Sequence, residues 1–201
     1  NSTLLNSIEG KAGRPRRKPP HLAEVGLYGC PTLVNNVESL SAIPHIMILG
    51  GDKFASLGSE QSGGTKLVCL SGNLVNRGVF EVPLGISLKD IVYKLGGGVP
   101  EGRKIKLIHI GGASGPCIPE TMLDIPYCYR ALRSEGLALG SGAILVLDDT
   151  NCIIDFLKCV TEFFIDESCG KCVPCRIGNV RLYEILSKFE NGTASEQDIE
   201  N

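Results

Sequence analysis

Cys169-Gly-Lys-Cys172-Val-Pro-Cys175 places three thiols within seven residues, and this spacing constrains the chain more than any other feature. Thiolates spaced C-x2-C-x2-C can converge on one metal centre from a single loop, with the loop amides left to hydrogen-bond to sulfur. Gly170 admits an unusual backbone angle, and Pro174 stiffens the approach to the last thiol. A tetrahedral zinc site more often uses two separated pairs, and the last histidine, His109, lies sixty residues upstream. The spacing favours an iron–sulfur cubane over both zinc and uncommitted thiols.

A cubane takes four ligands, and no cysteine follows Cys175. Cys159 sits ten residues before Cys169 in a helical pattern, where a small buried hydrophobe is its expected role. The fourth ligand is therefore expected outside this chain. Ser195 and Asp198 read as the cap of a further helix, which suits a sequence that continues.

The chain has 201 residues, 43% hydrophobic and 21% charged, with a net charge of −2 and a pI near 6.0. That is enough apolar sequence for a core, and no electrostatic ground for nucleic acid as a partner. No apolar run reaches the length of a membrane span, so direct membrane insertion is not expected. Nine cysteines, six of them scattered without framework spacing, read as reduced thiols in a cytoplasmic or matrix-like reducing compartment. Arg14-Pro-Arg16-Arg17-Lys18, followed by two prolines, reads as a solvated linker.

Residues 1–64 read as an arm with one helix, Asn36–Leu49, interrupted by Pro44. From Thr65 the texture becomes short apolar runs between glycines. Lys66–Leu70 and Gly78–Val82 suggest a hairpin, Ser87 caps a helix from Leu88 to Leu95, and 105–110 and 143–147 add two strands. This order predicts an α+β fold with a β-grasp domain over 65–149. Over 150–201 the period becomes helical, with Ile153, Ile154, Leu157, Val160, Phe163 and Phe164 on one stripe and a second helix from about Asn179 to Phe189. The cysteine loop then joins two helices, and the second helix offers amides and its positive dipole end to an anionic centre.

Two further motifs carry competing readings. Gly111-Gly-Ala-Ser-Gly115 is a tight turn or an anion nest. Asn35 and Asn36 either cap the following helix or present amides to a phosphate-bearing cofactor. No serine, histidine and acid arrangement appears, and no catalytic side chain is assigned.

Taken together, Leu5-Asn-Ser-Ile-Glu-Gly10, Lys18-Pro-Pro20, Val34-Asn-Asn-Val-Glu38, Glu81-Val-Pro-Leu-Gly85, Leu139-Gly-Ser-Gly142 and Glu167-Ser-Cys-Gly-Lys-Cys-Val-Pro-Cys-Arg176 resemble the NADH-binding flavoprotein (51 kDa type) subunit of respiratory complex I. They equally resemble its relatives in NAD(P)-linked hydrogenases and formate dehydrogenases. The resemblance implies a Rossmann-like FMN and NADH domain, then a β-grasp domain of the soluble-ligand-binding type, then a helical bundle with one 4Fe-4S cluster. The family's glycine-rich FMN and NADH loop precedes everything present here, so the resemblance is to a C-terminal fragment whose arm ends the FMN domain. It makes Cys169, Cys172 and Cys175 the cluster ligands and places Asn35 and Asn36 where the family contacts FMN. It implies an NAD(P)H dehydrogenase subunit passing electrons from FMN to the cluster, and a fragment inactive on its own. The implied partners are a thioredoxin-like 2Fe-2S subunit and an iron–sulfur or hydrogenase subunit, in a complex peripheral to a membrane. A competing reading is a non-catalytic β-grasp docking or ligand-binding module with structural zinc at the cysteines.

Overall fold

Five short strands, β1 (Thr65–Gly72), β2 (Gly78–Pro83), β3 (Ile105–Ile110), β4 (Cys117–Ile118) and β5 (Ala143–Asp148), form one sheet in the order β2-β1-β5-β3-β4. The computed structural model describes residues 1–200. β1 and β5 run parallel and every other pair is antiparallel. The parallel pair needs a long crossover, which the residues between Gly72 and Ala143 supply.

Alternation explains β1. In β1, Lys66, Val68 and Leu70 turn inward, while Leu67 and Cys69 stay exposed. β5 lies at the centre of the sheet, and Ile144, Val146, Leu147 and Asp148 are all buried along it. Ile144 and Val146 meet Leu88, Ile91, Val92, Tyr127 and Leu132 in one apolar core. Each such aliphatic side chain contributes on the order of 1.5–3 kcal/mol by leaving water.

The crossover carries the expected helix in altered form. Ser87 Oγ accepts a hydrogen bond from the Asp90 amide at 3.0 Å, as a cap should. From Asp90 to Leu95, however, the turn widens to a π-helix, and the Gly96 amide reaches back five residues to Ile91 O at 3.0 Å. Close packing explains why glycine follows: a Cβ at Gly96 would lie 2.6 Å from Val92 O and 3.0 Å from Leu74 Cδ1.

Contacts divide the chain into two compact units, Ala42–Phe156 around this sheet, and Asn1–Ser41 together with the residues from Leu157 onward. The second unit includes α1 (Ser2–Ile8) and α6 (Val173–Glu190), and α5 (Ile153–Asp166) runs into it. Lys158 of α5 pairs with Glu190 at the far end of α6, and its ammonium lies 5.2 Å from the Tyr183 ring centroid. An early residue of one helix meeting the last residue of the next defines an antiparallel hairpin with the cysteine loop at its bend. Cys159, expected to be buried, is exposed on α5.

The basic run corrects a second expectation. Arg16 is a clamp: its guanidinium donates to Asn6 Oδ1 at 2.6 Å and Gly26 O at 2.8 Å, and pairs with Glu9 Oε1 at 2.8 Å. The Glu9 carboxylate also accepts from Lys11 and from the Tyr28 amide, and its pKa falls to about 2, chiefly through the Lys11 and then the Arg16 hydrogen bond. Tyr28 takes a left-handed backbone, φ 51°, which a non-glycine residue adopts only under local constraint.

Candidate metal centre

α5 ends at Asp166, and the chain reverses through Ser168 and Gly170. Ser168 Oγ accepts the Gly170 amide at 3.2 Å, and Gly170 adopts φ 71°, a left-handed conformation that favours glycine. Arg176 fixes the turn from the other side by donating its guanidinium to Gly170 O. Cys172 is extended and acts as the N-cap of α6, with its carbonyl accepting the Arg176 amide at 2.9 Å.

α6 therefore starts at Val173, six residues earlier than the apolar pattern predicts. Pro174 belongs to its first turn, where a missing amide hydrogen costs nothing. This shift moves Cys175 out of the loop and onto the helix. All three thiols are exposed. Cys175 Sγ lies 3.4 Å from Ser168 Oγ and 3.6 Å from Asn179 Nδ2.

The surroundings suit an anionic centre. A cleft of about 420 Å³ is lined by Arg14, Pro15, Cys169, Gly170 and Lys171, which places two cations beside the first thiol. The N-terminus of the 18-residue α6 adds its positive dipole end. Among the described residues, no three His, Cys, Asp or Glu side chains already converge as a metal site. Convergence of the thiols is work that binding itself does, because thiolates repel one another until a metal neutralises them. Three soft, solvent-open donors on one short segment fit an iron–sulfur cluster by donor chemistry, and zinc shares that preference.

The asparagine pair lies elsewhere. Both residues are exposed ahead of α2 (Val37–Leu49), and Asn36 Oδ1 accepts the Glu38 amide at 2.8 Å and the Ser39 amide at 3.3 Å. Asn36 thus caps α2, and both of these hydrogen bonds stay within its own turn. The glycine motif is a turn: Gly115 N–H bonds Gly112 O at 2.7 Å, and Ser141 N–H bonds Gly111 O at 3.1 Å. His109 is buried beside it, with Nε2 3.1 Å from Gly115 O and its ring edge-on to Phe156.

Sequence reasoning missed Ser168, Asn179 and Arg14 as neighbours of the centre. Asn179 was legible only through the start of α6, since it lies four residues from Cys175 on one helical face.

The exposed thiol trio lies at the head of a long helix, with Arg14 and Lys171 beside Cys169, inside a segment that matches a known family. Residues 155–201 match the NADH-ubiquinone oxidoreductase-F iron-sulfur binding region, and residues 67–118 match the SLBB domain. The chain is 42% identical over 199 residues to the NADP-reducing hydrogenase subunit HndC of Solidesulfovibrio fructosivorans, covering 99% of this chain and 41% of that protein. It is 42% identical over 199 residues to the F 2 subunit of NADH-quinone oxidoreductase from Rhizobium meliloti, covering 99% and 47% respectively. A crystal structure of an NAD+-reducing NiFe-hydrogenase in the H2-reduced state superposes with a TM-score of 0.87 at 34% identity, covering 99% of this chain and 33% of that one. The chain is a homologue of the NADH-quinone oxidoreductase F-type subunits and of the HndC hydrogenase subunit, and it spans less than half the length of these relatives. No helix among the described residues is long and apolar enough to cross a membrane.

Proposed function

We propose that this chain is the electron-transfer portion of an NAD(P)H-oxidising flavoprotein subunit, with residues 65–149 a β-grasp domain, 150–201 a helical domain for a 4Fe-4S cluster, and 1–64 the end of an FMN-binding domain. The observation that carries the reading is the cysteine loop at the N-terminus of α6, inside the segment that matches the iron–sulfur binding region. The strand order, with its single parallel pair between β1 and β5, supports the β-grasp assignment.

Cys169, Cys172 and Cys175 would hold the cluster, which when bound supplies one-electron transfer. Gly170 and the Arg176 contact hold the turn that carries the first of these cysteines. Arg14, Lys171 and Arg176 offset negative charge there, which favours the reduced state. Asn35 and Asn36 would face the FMN phosphate, Asn36 through the amide nitrogen that capping leaves over. Electrons would pass onward to partner subunits of a multi-subunit redox complex, a thioredoxin-like 2Fe-2S subunit and an iron–sulfur or hydrogenase subunit, in a reducing compartment.

Metal analysis of the anaerobically purified native gene product tests this. About four irons and matching sulfide per chain are expected, lost in Cys172→Ala. Stoichiometric zinc without sulfide would overturn the reading in favour of a structural site.

A further inference from the structure

Cys175 differs from the other two cysteines in what touches its sulfur. Ser168 Oγ stands 3.4 Å away and Asn179 Nδ2 3.6 Å away, on opposite sides in sequence. Among the described residues, Cys169 and Cys172 have no such pair. The direction of both bonds follows from chemistry. Asn179 presents an N–H, which can only donate. Ser168 Oγ already accepts the Gly170 amide at 3.2 Å, so its own proton is available to the sulfur. A deprotonated Cys175 accepts and never donates, so both groups match the state in which it binds metal.

Backbone geometry holds the pair in place. Helical side chains lean toward the helix N-terminus, which carries the Asn179 amide back over the first turn to Cys175. Ser168 is fixed by the Gly170 reversal and the Arg176 contact. Hydrogen bonds to cluster sulfurs withdraw electron density and stabilise the reduced state, raising the reduction potential.

We propose that Ser168 and Asn179 are positioning residues that donate hydrogen bonds to the Cys175 sulfur and thereby set the reduction potential of the cluster. This rests on the cluster reading above. Ser168 also shapes the turn, so the decisive readout is a potential, which a purely structural role would leave unmoved.

The experiment is an anaerobic redox titration of the reconstituted native gene product, with iron content measured on the same samples. Ser168→Ala and Asn179→Ala are each expected to shift the oxidised-to-reduced ratio toward oxidised, and the double variant by roughly tenfold, equivalent to a potential about 59 mV lower for a one-electron couple. Ser168→Thr, which keeps the hydroxyl, should retain the wild-type potential. If Ser168→Ala takes up no iron, Asn179→Ala carries the measurement, since it lies outside the turn. Full iron with wild-type potential in Asn179→Ala and in every other iron-loaded variant would overturn this inference and leave the cluster reading intact. Absence of iron and sulfide from the wild-type protein would overturn both.

Discussion

Gly115→Ala should be the most damaging single methyl group in the sheet unit. A Cβ at Gly115 would lie 1.7 Å from Ile110 O and 2.9 Å from Gly112 O, both backbone atoms. Ordinary carbon–oxygen contacts sit near 3.3–3.6 Å, so the turn has to open by more than an ångström. Ile110 ends β3, and its amide bonds Pro116 O at 3.1 Å while the Gly115 amide bonds Gly112 O at 2.7 Å. Opening the turn weakens both bonds, at about 1 kcal/mol each, and lifts β4 from its pairing with β3. With the added strain the loss should reach about 3–5 kcal/mol. For a chain of this size that corresponds to a fall in Tm of roughly 6–20 °C. Gly136→Ala is the control: φ is 70° but nothing lies within 4 Å, so only the left-handed backbone penalty applies, about 1–2 kcal/mol. Thermal unfolding followed by circular dichroism compares the two. A Gly115→Ala midpoint equal to or above that of Gly136→Ala would refute the steric argument.

Three further outcomes are expected. Cys172→Ala in the native gene product should leave flavin reduction by NADH intact and block onward one-electron transfer, measured by stopped-flow absorbance; a slowed flavin step would place Cys172 elsewhere in the pathway. Asn36→Ala should cost about 0.5–2 kcal/mol through lost capping and should also lower FMN content, whereas Asn36→Asp keeps the cap; full FMN content in both variants, measured by released flavin fluorescence, would leave Asn36 a cap alone. Glu9 has a folded pKa of about 2 against its ordinary 4.5, so its stabilisation is fully present above pH 4.5 and is lost as pH falls toward 2. Glu9→Gln should flatten that part of the acid unfolding curve, and superimposable curves for the two proteins would rule out the Glu9 contribution.

Four strands were legible, for two different reasons. β1 and β2 alternate between an inward and an outward face, whereas β3 and β5 register as short apolar runs, buried on both faces over 108–110 and 146–148. β4 has two residues and no period, and only its partner β3 defines it. The widening of the helix after Lys89 was invisible for a different reason, because no residue type between Leu88 and Leu95 marks it and only the Gly96–Ile91 bond defines it. The capping pair at the C-terminal end was legible: Asp198 Oδ2 accepts the Ser195 amide at 2.8 Å. Arg16 was misread because a basic run looks solvated until the distant Glu9, Asn6 and Gly26 are placed around it.

The candidate centre shows how one boundary governs what chemistry can be read from sequence. With α6 taken to begin near Asn179, the three cysteines form a loop motif whose neighbours are unknown, and the helix contributes only its dipole. With α6 beginning at Val173, Cys175 acquires a neighbour four residues on, and the turn that precedes it brings Ser168 back to the same sulfur. The start was encoded in Pro174, which tolerates the first helical turn and not a later one. The proposal that these cysteines are ligands thus rests on their spacing, whereas the environment of each thiol depends on where the helix begins. Asn179 becomes a candidate tuning residue on that ground, through the geometry of a single helical turn.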